Sequence, residues 1–209
     1  MKTILCYGDS NTWGYNAEDA CRFAPDVRWP GVMRNMLGEE YLVTEEGLNG
    51  RTTVWDDPIE GYKNGREYLI PCLETHKPLD LVILALGIND LKQRFSVSAW
   101  DIAAGAGVLV DIVKQSQAGP NGTAPKALLV SPPVVGKLTE FAEMFEGAPD
   151  KSRRLGEHFR RVAAERGVPL LDLAGIVTTT DLDGIHLEAD QHRRLGETMA
   201  AKVREIIGR

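Results

Sequence analysis

The chain alternates short unbroken apolar runs with longer stretches of helical periodicity. The first run, Ile4 to Tyr7, breaks into the turn residues Gly8-Asp9-Ser10. Further runs are Tyr41 to Thr44, Leu81 to Leu86 bounded by Gly87, Ala127 to Val130 before Ser131-Pro132-Pro133, and Val168 to Leu173. Apolar runs without alternation predict strands covered on both faces, as parallel sheets require. Between them the pattern changes to a period near 3.6. It predicts helices from Pro30 to Leu37 closed by Gly38, through Leu69, Cys72, Leu73 and His76 ahead of Pro78, from Ser98 to Gln117, and from Lys151 to Arg166 ended by Gly167. A last helix carries Leu195, Met199, Val203 and Ile207 on one face. Strand followed by helix, five times over, predicts an α/β fold: a three-layer α/β/α sandwich around a mainly parallel, five-stranded sheet. We expect residues 1–209 to form a single domain, with no repeat, linker or low-complexity tract.

Two stretches carry no regular period. Tyr15 to Arg28 and Val54 to Asn64 are long for connections in a compact domain, and such loops often serve as lids or interface elements. Glu45 to Thr53 is expected to be a turn-rich loop after the second strand.

Right-handed crossovers bring the C-terminal ends of the strands to one edge of the sheet, where ligands bind in open α/β folds. The loops expected there hold Ser10, Asn49-Gly50, Gly87-Ile88-Asn89-Asp90, Pro132-Pro133 and Asp183 with His186. A serine on a rigid turn next to free backbone N–H groups suits a nucleophile, and equally suits an ordinary turn. Asp183-Gly184-Ile185-His186 sets an acid three residues before a histidine. That spacing lets Asp183 fix the tautomer of His186 while the far ring nitrogen takes a proton from Ser10, or lets Asp183 cap a turn. Candidate oxyanion donors for acyl transfer are the N–H groups of Ser10 and Gly50 and the side-chain amide of Asn89, although Gly50 also suits a plain turn and Asn89-Asp90, taken alone, reads first as turn chemistry. Asp9 is a poor catalytic acid, because neighbours at a strand end point apart.

Composition narrows the classes. The net charge of -6 in a chain that is 43% hydrophobic and 26% charged argues against nucleic-acid partners and against an anionic membrane surface. No apolar run approaches the ~20 residues of a membrane span. Met1-Lys2 and the few apolar residues before Asp9 do not read as a signal peptide. Cys6, Cys21 and Cys72, an odd number without metal-ligand spacing, predict reduced thiols in a cytoplasmic protein, with no metal and no cofactor. His76, His158 and His192 are expected in packing or solvated positions.

Taken together, Gly8-Asp9-Ser10-Asn11, Gly50, Gly87-Ile88-Asn89-Asp90 and Asp183-Gly184-Ile185-His186 resemble the ordered blocks of the SGNH hydrolases, also called the GDSL family. Asn11 replaces the leucine of that name. The stretches Cys6 to Tyr15, Arg22 to Trp29, Glu45 to Thr53 and Val130 to Pro133 resemble the bacterial arylesterase and acyltransferase branch, which is similar to a mycobacterial acyltransferase. Tyr15 stands where that acyltransferase has Trp, and Gly50 where it has Ala. The resemblance implies a flavodoxin-like SGNH hydrolase fold and a serine esterase of short-chain acyl or aryl esters. Ser10 is then the nucleophile, His186 the base and Asp183 the orienting acid, with Ser10, Gly50 and Asn89 as the oxyanion hole. It also implies acyl transfer or perhydrolysis as side activities, and a homo-oligomer. Asn11, Trp13, Tyr15, Ile88 and Ile185 are the expected substrate-pocket residues. A carbohydrate (sugar or xylan) O-deacetylase with the same triad is the alternative, and a non-catalytic binding module a more remote one.

Overall fold

The computed structural model describes residues 1–208. Five strands, β1 (Lys2–Gly8), β2 (Tyr41–Gly47), β3 (Leu81–Ala85), β4 (Lys126–Ser131) and β5 (Leu170–Asp172), form one sheet in the order β2-β1-β3-β4-β5. Every pairing is parallel. The helices are α1 (Ser10–Trp13), α2 (Trp29–Leu37), α3 (Gly65–His76), α4 (Ala99–Gln115), α5 (Ala148–Ser152), α6 (Leu155–Arg166) and α7 (Ala189–Ile207). The expected three-layer architecture is therefore present.

Alternation along the strands divides the interior into two cores. Leu5, Tyr7, Val82, Leu84 and Leu129 point to one face, against Leu69 and Leu73 of α3, Ile102 and Leu109 of α4, and Phe159 of α6. Ile4, Cys6, Ile83, Leu128 and Val130 point to the other, against Trp29 and Met33 of α2 and Leu195, Met199 and Val203 of α7. Both faces being covered is why these strands read as unbroken apolar runs.

Three element boundaries depart from expectation. β2 continues through Glu45 and Glu46 to Gly47, into what the sequence marks as a loop. Its pairing with β1 carries on to Gly8↔Gly47, and Glu45 is neutralised by Arg22, Arg28 and Arg34. A polar strand end is tolerated where its charges are paired. A Cβ on Gly47 would overlap the backbone of Trp13, so glycine is what lets α1 lie on this strand end. The expected helix from Lys151 to Arg166 is instead α5 and α6, broken at Arg153–Arg154. The last strand is shorter than its apolar run, pairing only through Leu170, Leu171 and Asp172.

Phe159 is fully buried beneath the sheet. Phe159→Ala should lower unfolding free energy by about 3–5 kcal/mol, the usual cost of emptying an aromatic site in a core. Urea titration followed by circular dichroism measures it, and a loss below about 1 kcal/mol would show that α6 contributes little to the core.

Candidate active site

Ser10 is the first residue of α1, which begins directly after β1. Asp9 caps that turn, its carboxylate accepting from the Asn11 N–H at 3.0 Å. Asp9 thus shapes the loop and is spent on its own backbone. Burial pushes its carboxyl up to about 6, against the opposing pull of the Asn11 N–H.

His186 lies on the loop leading into α7. Its Nε2 is 2.8 Å from Ser10 Oγ and its Nδ1 is 2.6 Å from Asp183 Oδ2. The second oxygen of Asp183 accepts from the Ile185 and His186 N–H groups at 2.8 and 2.9 Å. Burial alone would raise the Asp183 carboxyl, but the bonds and charge from His186 and the Ile185 N–H outweigh it, and the group is held below the usual range. An ionised Asp183 accepts a hydrogen bond from Nδ1–H and keeps the proton on that nitrogen, which leaves Nε2 as the acceptor for the Ser10 hydroxyl. All three residues are buried, which strengthens these charge-assisted bonds.

Gly50 and Asn89 reach the same cleft, with Ser10 and His186. Gly50 has φ of 81°, a left-handed conformation that favours glycine. Its N–H donates no hydrogen bond among the described residues. The Asn89 amide is oriented by a 3.2 Å bond to the Arg51 carbonyl. Arg51 is buried in turn, donating to the Gly8 carbonyl at 2.9 Å and to that of Glu46, with its guanidinium 4.2 Å from the Tyr7 ring centroid. Free N–H groups and an oriented amide around a serine can stabilise charge on a carbonyl oxygen.

The cleft holds about 180 Å³. Its apolar lining is Tyr15, Phe141, Met144, Phe145 and Ile185, and its polar lining includes Asn49, Glu60 and Lys92. The Tyr15 ring stacks at a tilt on His186, with centroids 4.3 Å apart.

Tyr15 and Ile185 stand in the cleft, but three expected pocket residues do not. Asn11 turns away, donating to the Ile185 carbonyl at 3.3 Å and accepting from the Leu187 N–H at 3.1 Å. Ile88 and Asn11 line a separate cavity of about 30 Å³ beside Asp9, roughly the room of one water. Trp13 packs outward, with the Arg22 guanidinium 5.0 Å over its ring. Proximity in sequence to Ser10 misleads here, because α1 rotates successive side chains by about 100° each. The aromatic wall of Phe141 and Phe145 comes from the segment between β4 and α5. The spacing Phe141, Met144, Phe145 is its only sequence signal, and it resembles any short amphipathic turn.

The fold also gathers ligand-type atoms that sequence spacing does not reveal. Glu46, Cys72 and His76 bring one such atom each within 4.8 Å of one another. His76 Nε2 bonds Glu46 at 2.8 Å, and burial with the charge of Glu46 pushes the Cys72 thiol up to about 12. A thiol held there is protonated near neutral pH. His192, expected in a packing or solvated position, is buried, accepting from the Trp29 N–H at 3.3 Å. Among the described residues, no helix is long and apolar enough to cross a membrane.

The GDSL-like lipase/acylhydrolase family model matches residues 6–194. The chain belongs to this family. It is a carboxylic ester hydrolase, as the resemblance of its ordered blocks implies. Among solved structures it is similar to the aryl esterase of M. smegmatis, at 44% identity and a TM-score of 0.94, covering 99% of this chain and 100% of that one. It is also similar to a carbohydrate acetylesterase from Sinorhizobium meliloti, at 38% identity and a TM-score of 0.94, covering 98% of this chain and 99% of that one. A search of curated proteins found no match.

Asp90, next to Asn89, is fully buried, and burial pushes its carboxyl up to about 7 against the bonds it accepts from Thr53. A carboxyl raised on folding binds protons between its unfolded value, about 4, and that folded value. Its contribution to stability is greatest below this window and falls as pH rises through it. Asp90→Asn keeps an acceptor for Thr53 and cannot ionise. The melting temperature of the variant relative to wild type should therefore rise between about pH 4 and about pH 7. Thermal scans at both pH values measure this, and a constant difference would contradict it.

Proposed function

We propose that residues 1–209 act as one catalytic domain, a serine esterase of short-chain acyl or aryl esters. Ser10 attacks the ester carbonyl, His186 Nε2 takes its proton and returns it to the leaving alcohol, and Asp183 orients the ring. The Ser10 and Gly50 N–H groups and the Asn89 amide receive the oxyanion. Water or an alcohol then attacks the acyl-enzyme with His186 again as base. The observation that carries this reading is the unbroken chain of hydrogen bonds from Asp183 through His186 to Ser10 Oγ. The small volume of the cleft supports short acyl groups, since sites for drug-sized ligands run to about 300–1,000 Å³.

Deacetylation of sugars is the second reading. The similarity to a carbohydrate acetylesterase favours it, as do the polar side chains of Asn49, Glu60 and Lys92 in the cleft. Acyl transfer to alcohols is a side activity supported by the apolar wall, which disfavours water over an organic acceptor. We read the chain as cytoplasmic because Cys6, Cys21 and Cys72 are free thiols. We read it as a homo-oligomer because Ile59 and Tyr62, in the loop beside the cleft, are exposed apolar side chains.

On p-nitrophenyl acetate, Ser10→Ala and His186→Ala should each lose at least roughly 10⁴-fold in kcat. Asn89→Ala should lose about 10²–10³-fold. Steady-state kinetics decide: full activity in Ser10→Ala would sink the serine mechanism, and an unchanged rate in Asn89→Ala would remove that residue from the hole. An acyl-length series on aryl and sugar esters, with and without added alcohol, separates the two readings. Acetate release from sugar acetates far faster than from aryl acetates would favour the deacetylase.

A further inference from the structure

Four charged side chains join the segment beside Gly50 to the turn after Asn89. Asp57 and Glu60 come from the irregular stretch 54–64, and Lys92 and Arg94 follow Asn89 directly. Lys92 Nζ donates to Glu60 Oε1 and faces Asp57 Oδ2 at 3.5 Å. Arg94 reaches Asp57 Oδ1 at 3.4 Å and Glu60 Oε1 at 3.1 Å. Asp57 also accepts from the N–H groups of Ile59 and Glu60 at 2.9 and 3.0 Å. Burial would raise the Asp57 carboxyl, but these N–H groups and the two cations hold it low. The two acids and two bases balance. Lys92 is only 3% exposed, an expensive place for an ammonium unless its partners are fixed.

The position of the pair matters more than its stability. Glu60 and Lys92 both line the cleft with Ser10, Gly50, Asn89 and His186. With Oε1 bonded to Lys92 and Arg94, the other carboxylate oxygen, Oε2, stands against the α-carbon of Gly50, where a Cβ would overlap it. A lone carboxylate there would repel negative charge developing at the Gly50 N–H. The Glu60 side chain is 32% exposed, so water screens part of that repulsion and leaves the remainder to be offset by a nearby cation. Lys92 supplies the opposite charge, and its own N–H is bonded to the Asn89 carbonyl at 3.2 Å.

We infer that Lys92 is a positioning residue for the oxyanion hole. It cancels the charge of Glu60 beside Gly50, and it ties the two oxyanion-donor loops together through that carboxylate. The oxyanion exists only after attack on the carbonyl, so the effect falls on kcat rather than on KM. The inference rests on the assignment of Gly50 and Asn89 as oxyanion donors.

The test is a double-mutant cycle with p-nitrophenyl acetate. Lys92→Met should lower kcat by roughly 10–100-fold with KM within about threefold, a loss smaller than that of an oxyanion donor itself. Glu60→Gln in the Lys92→Met background should recover most of that loss, because the carboxylate that Lys92 offset is gone. Lys92→Arg should keep kcat within about fivefold of wild type, by retaining the charge. Where Lys92→Met does not fold, Lys92→Gln in the same two backgrounds gives the same comparison. A single variant with wild-type kcat, a double variant no better than the single, or a loss confined to KM would each overturn the inference. Asn89→Ala separates it from the underlying assignment. If that variant keeps the wild-type rate, the oxyanion assignment and this inference fall together. If it loses rate while Lys92→Met does not, only the role of Lys92 falls.

Discussion

Asn11 crosses almost the whole chain, donating from its side chain to the Ile185 carbonyl at 3.3 Å and accepting from the Leu187 N–H at 3.1 Å. Ser10 precedes it on α1, and Ile185 and Leu187 flank His186. The two halves of the site share no strand pairing, because β1 pairs with β2 and β3 and the His186 loop follows the edge strand β5. This buried amide ties the turn that carries Ser10 directly to the loop that carries His186, whose ring lies 2.8 Å from Ser10 Oγ. Both of its polar atoms are paired, and breaking either contact would leave a buried backbone group unsatisfied. The geometry of the Ser10–His186 pair is thus supported by a residue that touches neither Ser10 Oγ nor the His186 ring.

Three buried aspartates around the site show how local partners set charge. Asp183 accepts two N–H groups and faces His186, and stays ionised below the usual carboxylate range. Asp9 has the Asn11 N–H and is pushed up to about 6, and Asp90 has Thr53 and is pushed up to about 7. Burial is common to all three. The difference lies in how deep that burial is, greatest for Asp9 and Asp90, and in which donors and charges face each carboxylate. Only Asp183 is placed to keep a full negative charge against an imidazole, as the proposed mechanism requires of the group that would compensate an imidazolium at His186.

Much of this molecule is legible in its residue order. Unbroken apolar runs announced β1, β3 and β4, since a strand buried on both faces has no polar side to alternate with. The extent of β2 was hidden because Glu45 and Glu46 look like loop residues until three arginines are brought to Glu45 by other segments. The break between α5 and α6 falls at Arg153–Arg154, charged residues that carry no stop signal of their own. At the site, Ser10, Asp183, His186, Gly50 and Asn89 stand at strand-end turns that the topology sends to one edge. The cleft wall was less legible. Trp13, Asn11 and Ile88 were near the right residues in sequence and face elsewhere, whereas Phe141, Met144 and Phe145 come from a segment whose brief i, i+3, i+4 spacing matches any short amphipathic turn.

The sequence by itself determined the layer order, the parallel sheet and the short turns that carry the chemistry. These follow from local rules, period, glycine placement and strand-end chemistry, which act over a few residues. Tertiary structure alone decided which side chains face the cleft, which carboxylates remain charged, and that Asp57, Glu60, Lys92 and Arg94 meet beside Gly50. Those outcomes depend on the angle at which one element lies on another and on what is buried with it. Distances of a few ångströms between segments far apart in the chain leave no trace in local pattern.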